Sequence, residues 1–262
     1  MNPSSRLLTL TTDYGTRDGY AGAIKGAVLS LAPSASIHDI SHQIAPQAIW
    51  EGAWCLRRAV PCFPPGTTHL AVVDPGVGSG RSGVVIETER HLLIGPDNGV
   101  LTLAARDDGI RRVFEIDEEG ESWHRSNTFD GLTLFAPVAG MLLSGMALEE
   151  VGPEAEDLVE LTEREAVLQD GAIEGSVMLF DRFGNAITDI PASLIEGRQV
   201  KGVSLKEFQD VRFCANYGDL AGSPVIGCLV NSDGLLELAL FGASLQQRHN
   251  LEIGDPVRVQ LK

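Results

Sequence analysis

Along the first half of the chain, short unbroken apolar runs alternate with segments in which apolar residues recur at helical spacing. LLTLTT at 7–12 is a short run of apolar and β-branched residues, which is typical of a buried strand. GYAGAIKGAVLSLAP at 19–33 has apolar residues at helical spacing and predicts a helix that Pro33 ends. Further strands are predicted at 36–41, 69–75, 82–89 and 91–97, and further helices at 48–60 and 135–152. This alternation predicts an α/β fold with a mostly parallel sheet and helices on its faces.

The pattern changes beyond residue 152. Residues 153–170 are acidic and weakly periodic, which is typical of a connecting segment. From residue 171 onward, short β-rich segments such as AIEGSVMLFD and VIGCLVN alternate with Gly, Asn and Asp. These segments predict a smaller all-β domain folded as a barrel. We therefore predict an N-terminal α/β domain over 1–160, a linker over 161–170 and a C-terminal β-barrel domain over 171–262.

Composition narrows the functional classes. The chain has 262 residues, 44% of them hydrophobic, and a formal net charge of -16, and such acidity argues against nucleic-acid binding, which rewards Lys and Arg. No apolar stretch approaches the ~18 residues of a membrane-spanning helix, and the N-terminus lacks the pattern of a secretory signal. The four cysteines lack C-x-x-C spacing, which argues against a zinc ribbon. We expect a cytoplasmic protein with a small-molecule ligand and no nucleic-acid, membrane or metal partner.

Two short motifs match known patterns in their letters only. GSGRSG at 78–83 fits G-x-G-x-x-G, but the VVIETE that follows predicts a strand, whereas a dinucleotide-binding fingerprint opens a helix. HDISH spaces His38 and His42 like a zinc-protease helix but lacks its Glu, and on a strand the two residues would lie ~13 Å apart. We expect a tight loop at the glycines and surface or hydrogen-bonded histidines.

Acidic residues follow the predicted strands of the first domain. These strand-end residues are Asp13, Asp74 and the pair Asp97-Asn98, with Arg81 seven residues after Asp74. Each acid also fits a turn, since Asp-Tyr-Gly, Asp-Pro-Gly and Asp-Asn-Gly are all favourable turn sequences. Because ligands of open parallel sheets bind at the carboxyl ends of strands, the acids taken together favour a binding site.

Three further segments fit either a turn or a site. NTFDGLTLFAPVAG holds Asp130 in an Asp-Gly pair, a common turn sequence, within an otherwise apolar run. DRFGNAITDI offers Phe183 for stacking on a planar ring and Asn185 for an amide or purine edge, or else a hairpin turn. VNSDGLLELAL offers Ser232 in a turn and Glu237 on the strand that follows.

The chain resembles the S-adenosylmethionine hydroxide adenosyltransferase family in seven segments that occur in the family's order. They are LTTDYGTRDGYAGAIKG, SHQIAPQ, HLAVVDPGVGSGR, PDNGVLT, the TF-G---FAPVAG pattern, DRFGNAIT and NSDGLLELA, and they span nearly the whole chain. Relatives of this family attack the same substrate with fluoride or chloride. The resemblance implies an N-terminal α/β domain, a C-terminal β-barrel domain and a homotrimer. Each ligand would lie between the N-terminal domain of one subunit and the C-terminal domain of its neighbour.

The resemblance also implies a reaction and a set of contacts. Water would replace methionine at the ribose C5′ carbon of S-adenosylmethionine, giving adenosine and methionine with no cofactor. Asp13 would accept hydrogen bonds from both ribose hydroxyls, and Phe183 and Asn185 would lie around the adenine. The other expected contacts are Tyr20, Gln47 and Phe129 along the pocket and Asp181, Ser232 and Glu237 at the amino-acid end.

The expected catalytic set consists of Asp74, Arg81 and a third residue that differs in this chain. The family pattern T-F-H-G-R-D has a His where this chain has Asp130, and nothing in the spacing places His124 in the site. In one interpretation Asp130 replaces the His in orienting water, and two close carboxylates raise the pKa of one of them to give a general base. In the other, water activation is lost, and the chain is a slow enzyme or only binds S-adenosylmethionine or adenosine.

Asp74 also bears on the choice of nucleophile. The halide-using relatives lack a carboxylate at this position. A buried carboxylate repels a desolvated halide strongly at low effective dielectric. The resemblance therefore favours water over chloride or fluoride for this chain, with a halogenase as the least favoured alternative.

Overall fold

The structure, a computed structural model, describes residues 6–117, 128–162 and 165–262. His124 and part of the predicted linker lie outside the described residues. The chain divides into two compact units, Met1–Leu161 and Thr162–Lys262. The first unit combines a sheet with helices and the second is a β-barrel, so the predicted fold class is confirmed. Among the described residues, no helix is long and apolar enough to cross a membrane.

A six-stranded sheet forms the centre of the first unit. Its strands are β1 (Leu7–Thr12), β2 (Ser36–Ser41), β3 (Thr68–Val72), β4 (Gly83–Thr88), β5 (Leu92–Pro96) and β6 (Ile110–Glu115). They lie in the order β2-β1-β3-β5-β4-β6. The pairs β1–β2, β1–β3 and β3–β5 are parallel, and β4 is antiparallel to both β5 and β6. Only β4 therefore runs against the other strands, and the carboxyl ends of β1 and β3 meet at one edge.

Helices supply partners for both faces of this sheet. They are α1 (Tyr20–Leu31), α2 (Ile49–Ala59), α3 (Thr102–Asp107) and α4 (Ala136–Leu143). Ile24 of α1 belongs to the same core cluster as Leu8 of β1, whereas Leu56 of α2 shares a second cluster with Ala71 of β3. Because successive strand residues point to opposite faces and both faces are covered, these strands read as nearly unbroken apolar runs.

The predicted helix over 135–152 is wrong at both ends. A π-helical turn (Gly131–Phe135) precedes α4, which ends at Leu143, and a separate 3-10 turn follows (Leu148–Glu150). Gly145 has φ of 102°, a conformation that ends a helix and that glycine adopts without steric cost. The apolar spacing continues past this glycine and therefore predicts too long a helix. The same spacing predicts neither α3 nor β6.

Seven strands close into a barrel in the second unit. The helices and strands of this unit, inside and outside the barrel, are β7 (Val167–Gln169), β8 (Ala172–Phe180), β9 (Ala186–Pro191), β10 (Val200–Leu205), β11 (Phe208–Phe213), β12 (Ile226–Val230), β13 (Leu235–Ala239), α5 (Leu245–His249) and β14 (Pro256–Leu261). The order β14-β10-β11-β12-β13-β9-β8 is closed by pairing of β14 with β8, and β7 adds to β8. Val177, Leu236 and Val257 belong to one buried cluster that fills the barrel.

Candidate active site

A cavity of about 600 Å³ lies in the first unit where β1 and β3 end. Asp13 directly follows β1, and Asp74 comes two residues after β3. Both side chains line the cavity. Predicted site residues that line this cavity are Asp13, Tyr20, Gln47, Asp74, Phe129 and Asp130. The fold therefore gathers residues that lie far apart in the sequence around one space.

Arg81 links two buried carboxylates at this cavity. Its Nε donates to Asp74 Oδ1 at 3.0 Å and to Oδ2 at 3.1 Å. Its Nη2 donates to both Asp74 Oδ2 and Asp130 Oδ2. The side chains of Arg81, Asp74 and Asp130 are 10%, 5% and 0% exposed. One guanidinium thus compensates two carboxylates in a water-poor environment, where such bonds are strong.

The glycine-rich stretch before β4 forms the loop that carries Arg81. Asp74 Oδ1 accepts a hydrogen bond from the N–H of Gly76 at 3.1 Å, which closes a local turn after β3. Gly78 has φ of 76°, a left-handed conformation that favours glycine. The segment 78–83 leads into a strand. A dinucleotide-binding helix is therefore absent at this motif, as the sequence predicts.

Asp13 is fixed by a segment that the fold brings beside it. Asp13 Oδ2 accepts a hydrogen bond from the backbone N–H of Gln47 at 2.8 Å. Gln47 has φ of 67°, an uncommon left-handed conformation for a non-glycine residue. Such strained positions cluster at functional sites. The bond occupies one oxygen of Asp13.

Tyr14 is a cavity residue that the motif analysis misses. Its ring makes edge contacts with Tyr20 and Phe129 at centroid distances of 6.0 and 5.5 Å, and these two rings are 5.1 Å apart. Burial, followed by the negative charges of neighbouring aspartates, raises the pKa of Tyr14 above its ordinary range. The phenol therefore stays protonated near neutral pH and is able to donate a hydrogen bond. Its position directly after Asp13 is the sequence signal that could have found it.

Asp97 does not line this cavity, although it follows a strand as Asp74 does. Its Oδ1 accepts a hydrogen bond from the N–H of Val159 at 2.9 Å. Asn98 donates from Nδ2 to the carbonyl oxygen of Val73 at 2.9 Å. These side chains satisfy backbone groups, so the turn interpretation describes this strand end better than the site interpretation does.

The histidines of HDISH occupy different environments. His38 is exposed on β2 and contacts Ser36 Oγ, while His42 is buried after the strand and contacts Thr12 Oγ1. The strand assignment is confirmed, and both histidines have hydrogen-bond partners. No group of three or more His, Cys, Asp or Glu suited to a metal ion occurs in the described parts of the chain.

A second cavity of about 520 Å³ lies in the barrel unit beside the β8–β9 hairpin. Asp181, Phe183 and Asn185 all line it. Asp181 Oδ1 accepts hydrogen bonds from the N–H groups of Phe183 at 2.9 Å and Asn185 at 2.8 Å, and Oδ2 accepts from Asn185 Nδ2 at 3.0 Å. Gly184 has φ of 80° at the turn. DRFGN therefore forms a hairpin turn and also a cavity wall, and Phe183 is 76% exposed there.

Glu237 does not line this second cavity itself but bonds to Tyr217, which does. No motif in the sequence points to Tyr217. Tyr217 lines the cavity and donates its hydroxyl to Glu237 Oε1, while Asn231 Nδ2 lies 3.3 Å from Oε2. Burial and this bond raise the pKa of Tyr217. Ser232 is exposed in the turn between β12 and β13 and is not among the lining residues described. Nothing in the CANYGD sequence marks Tyr217, because its role depends on its bond to Glu237, a residue of β13 that lies 20 positions further along the chain.

Sequence comparison identifies the family. Residues 8–152 match the SAM hydroxide adenosyltransferase N-terminal domain, and residues 175–258 match the SAM hydroxide adenosyltransferase C-terminal domain. The chain belongs to the SAM hydroxide adenosyltransferase family. The two matches fall on the α/β unit and on the barrel unit, respectively.

Relatives with two different names align along nearly the whole chain. The (R)-S-adenosyl-L-methionine hydrolase of Methanocaldococcus jannaschii is 35% identical, with 97% of this chain and 95% of the relative covered. The protein of the same name from Thermus thermophilus is 35% identical over 95% and 97%. A fluorinase from Actinopolyspora mzabensis is more distant at 27% identity over 98% and 97%.

Solved structures show the same fold. An uncharacterized conserved protein from Thermotoga maritima superposes with a TM-score of 0.87 at 32% identity, covering 97% of this chain and 99% of its own. A conserved hypothetical protein from Thermus thermophilus gives a TM-score of 0.78 at 34% identity, with the same coverage.

Proposed function

We propose that this protein hydrolyses S-adenosylmethionine to adenosine and methionine by direct attack of water on the ribose C5′ carbon. The observation that carries the proposal is the pair of buried carboxylates, Asp74 and Asp130, held by Arg81 at a cavity in a member of this family. Relatives named (R)-S-adenosyl-L-methionine hydrolase at 33–35% identity support the same reaction.

The charges around the cavity suit a sulfonium substrate. Asp13, Asp74 and Asp130 line it, and Arg81 pairs with two of the three, so this group carries a net negative charge. The sulfonium of the substrate is cationic, and it leaves as a neutral thioether that needs no proton. Catalysis then requires one water held in line with the C–S bond and the exclusion of other water.

Three residues form our proposed catalytic set. As the new C5′–O bond forms and the C5′–S bond breaks, the surplus proton of the water passes to a carboxylate of Asp74 or Asp130 and then to solvent. Arg81 holds both carboxylates through charge-assisted bonds, which limits their movement before attack. Asp130 acts here in place of the histidine of the family pattern, because a carboxylate can also accept hydrogen bonds and a proton from water.

The same carboxylates disfavour a halide nucleophile. A chloride or fluoride near Asp74 and Asp130 would face two buried negative charges and a guanidinium already bonded to both. Repulsion between like charges is large where water is excluded. We therefore propose water as the nucleophile, although fluorinases are among the more distant relatives.

We further propose that each unit supplies part of the substrate site in a homotrimer. On this proposal the N-terminal unit of one subunit and the C-terminal unit of its neighbour enclose one substrate. Tyr20 and Phe183 support it, because they are 50% and 76% exposed and each lines the cavity of its own unit, so both rings are open to a ligand. The proposed roles are Asp13 for the ribose, Phe183 and Asn185 for the adenine, Tyr20, Gln47 and Phe129 along the pocket, and Asp181, Ser232 and Glu237 for the amino-acid end.

The test follows adenosine formation from S-adenosylmethionine by chromatography, with Asp74→Asn beside the wild type. Asn keeps the shape of Asp74 and removes its ability to take a proton. We expect adenosine release by the wild type and a loss of about 100-fold or more in kcat for Asp74→Asn. Asp97→Asn is the matched control, because Asp97 also follows a strand but bonds to Val159.

The same assay separates the alternatives. Tight adenosine binding by calorimetry with no adenosine released above the spontaneous background would overturn hydrolysis and leave a binding protein. Formation of 5′-chloro-5′-deoxyadenosine in chloride would instead identify a halogenase.

A further inference from the structure

His42 ends the HDISH motif and is absent from the proposed catalytic set and substrate contacts. It directly follows β2 and is 5% exposed. Its Nδ1 lies 2.8 Å from Thr12 Oγ1, and Thr12 is the last residue of β1, immediately before Asp13. The ring therefore contacts the last residue of β1, the strand that ends at the first cavity.

Two more bonds connect the segment that follows His42 to this strand end. The N–H of Gly15 donates to the carbonyl oxygen of His42 at 2.7 Å. The N–H of Gln47 donates to Asp13 Oδ2 at 2.8 Å. Side chain and backbone of His42 thus hold residues on both sides of Asp13, while the downstream residue Gln47 holds the carboxylate itself.

The other edge of the ring faces an ion pair at the surface. His42 Nε2 lies 3.1 Å from Asp39 Oδ1, and Lys25 Nζ donates to Asp39 Oδ2 at 2.6 Å. Burial alone would raise the pKa of Asp39, but the bonds from Lys25 and His42 lower it below its ordinary value. Asp39 therefore stays ionised, and its carboxylate lies beside the Nε2 edge of the imidazole.

We infer that His42 is a positioning residue that sets the place of Asp13 through Thr12, without touching the substrate. Groups that bind or react must be held by neighbours whose own geometry is fixed, because small displacements are costly. The Thr12 contact transmits the constraint to the cavity, and the Asp39 contact orients the ring. The effect on turnover rests on the proposed function, whereas the effect on Asp13 does not.

Two amide substitutions separate the two ring contacts. In His42→Asn the amide replaces Nδ1 and keeps a partner for Thr12, whereas in His42→Gln it reaches the place of Nε2 and loses that partner. We expect His42→Gln and Thr12→Val to raise KM for S-adenosylmethionine about three- to tenfold, the effect of one lost buried hydrogen bond. His42→Asn should stay within about twofold of the wild type. His38→Asn is the control, because His38 is exposed on β2, the strand that His42 directly follows.

Amide hydrogen exchange at Gln47 gives a readout that needs no turnover. Its N–H is bonded to Asp13, so we expect faster exchange in His42→Gln and Thr12→Val and unchanged exchange in His38→Asn. A wild type that releases no adenosine would overturn the proposed function and leave this readout intact. A lower Tm in His42→Gln, with wild-type KM and wild-type exchange at Gln47, would reduce His42 to a stabilising residue and overturn the inference.

Discussion

At the residue scale, Arg81 holds the two carboxylates of the proposed catalytic set at the first cavity. Its guanidinium lies between two carboxylates that are 5% and 0% exposed. A buried charge without a partner is strongly unfavourable, so the three residues depend on one another. The Arg81 guanidinium also lies over the ring of Phe135, with Cζ 5.4 Å from the centroid, which is a cation–π contact. Substitution of any one of the three charged groups should therefore change both stability and turnover.

Asp130 is the residue through which this chain departs from the family pattern. Asp130→Asn keeps the shape and removes the proton acceptor, so we expect kcat for adenosine release to fall about tenfold or more with KM within about twofold. Asp130→His should keep more activity than Asp130→Asn, because an imidazole also accepts a proton. Steady-state kinetics near neutral pH measure both. An unchanged kcat in Asp130→Asn would contradict a role for Asp130 in activating water.

The burial of His69 leads us to predict that the folded protein loses stability at acidic pH. It is fully buried in β3, and burial, with a smaller effect of His91, lowers its pKa from 6.5 to about 3. The folded protein thus keeps the ring neutral at pH values where the unfolded chain binds a proton. The stabilisation is complete above about pH 6.5 and decreases as the pH falls toward about 3.

Thermal unfolding between about pH 7.5 and about pH 4.5 measures this effect. We expect the Tm of the wild type to fall more steeply with acidification than that of His69→Gln, which has no group to titrate. His38→Gln is the matched control, since His38 is exposed. Equal slopes in the wild type and His69→Gln would contradict the assignment.

At the scale of elements, the sequence predicts β1, β2, α1 and α2 closely, but it misses β6 and places the end of α4 too late. The predicted strands at 7–12 and 36–41 match Leu7–Thr12 and Ser36–Ser41. The strand β1 is a buried apolar run bounded by turn residues, as a parallel strand covered on both faces should be, whereas β2 lies at the edge of the sheet and is largely exposed. The end of α4 depends on the positive φ of Gly145, and the apolar spacing carries no information on that angle. Only the backbone conformation distinguishes this glycine from those inside α1.

The β8–β9 hairpin depends on Gly184 for a reason visible only in the folded chain. Gly184 has φ of 80°, and a Cβ there would lie 2.0 Å from Ser244 Oγ. Gly197 has φ of 71° with no atom within 4 Å of a Cβ. We expect Gly197→Ala to lower the free energy of unfolding by about 1 kcal/mol and Gly184→Ala to lower it by more, because the second adds a clash. Urea denaturation compares the two, and equal losses would contradict the contact with Ser244.

At the scale of the whole molecule, the order of the seven motifs along the chain predicts the two units and their site residues better than the spacing of apolar residues does. The family resemblance covers both units, and most of the predicted site residues line one of two cavities, one in each unit. Arg81 and Glu237 instead bond to residues that line them, and Ser232 lines neither. Tyr217 carries no sequence signal, since its role comes from the distant Glu237, whereas the position of Tyr14 directly after Asp13 is a signal that the motifs do not use. Asp97 shows the reverse case, because a strand-end acid can equally well serve a backbone N–H.

The proposed homotrimer makes a direct prediction about mass. Sedimentation equilibrium should give three times the chain mass of 28.0 kDa. If subunits share each site, Asp13→Ala and Asn185→Ala proteins mixed after dissociation and reassembly should recover part of the activity that each lacks, because some sites then combine two intact halves. A fully active monomer would contradict the shared site.

Hydrolysis in water enriched in oxygen-18 tests the central claim most directly. Attack of water on C5′ places the labelled oxygen in the 5′-hydroxyl of adenosine and none in methionine, because the C5′–S bond breaks and the C5′–O bond forms. Mass spectrometry of the two products after a single turnover reads this out. We predict one labelled oxygen in adenosine for the wild type and loss of product formation in Asp74→Asn. Unlabelled adenosine, or no adenosine above the spontaneous background, would contradict the account.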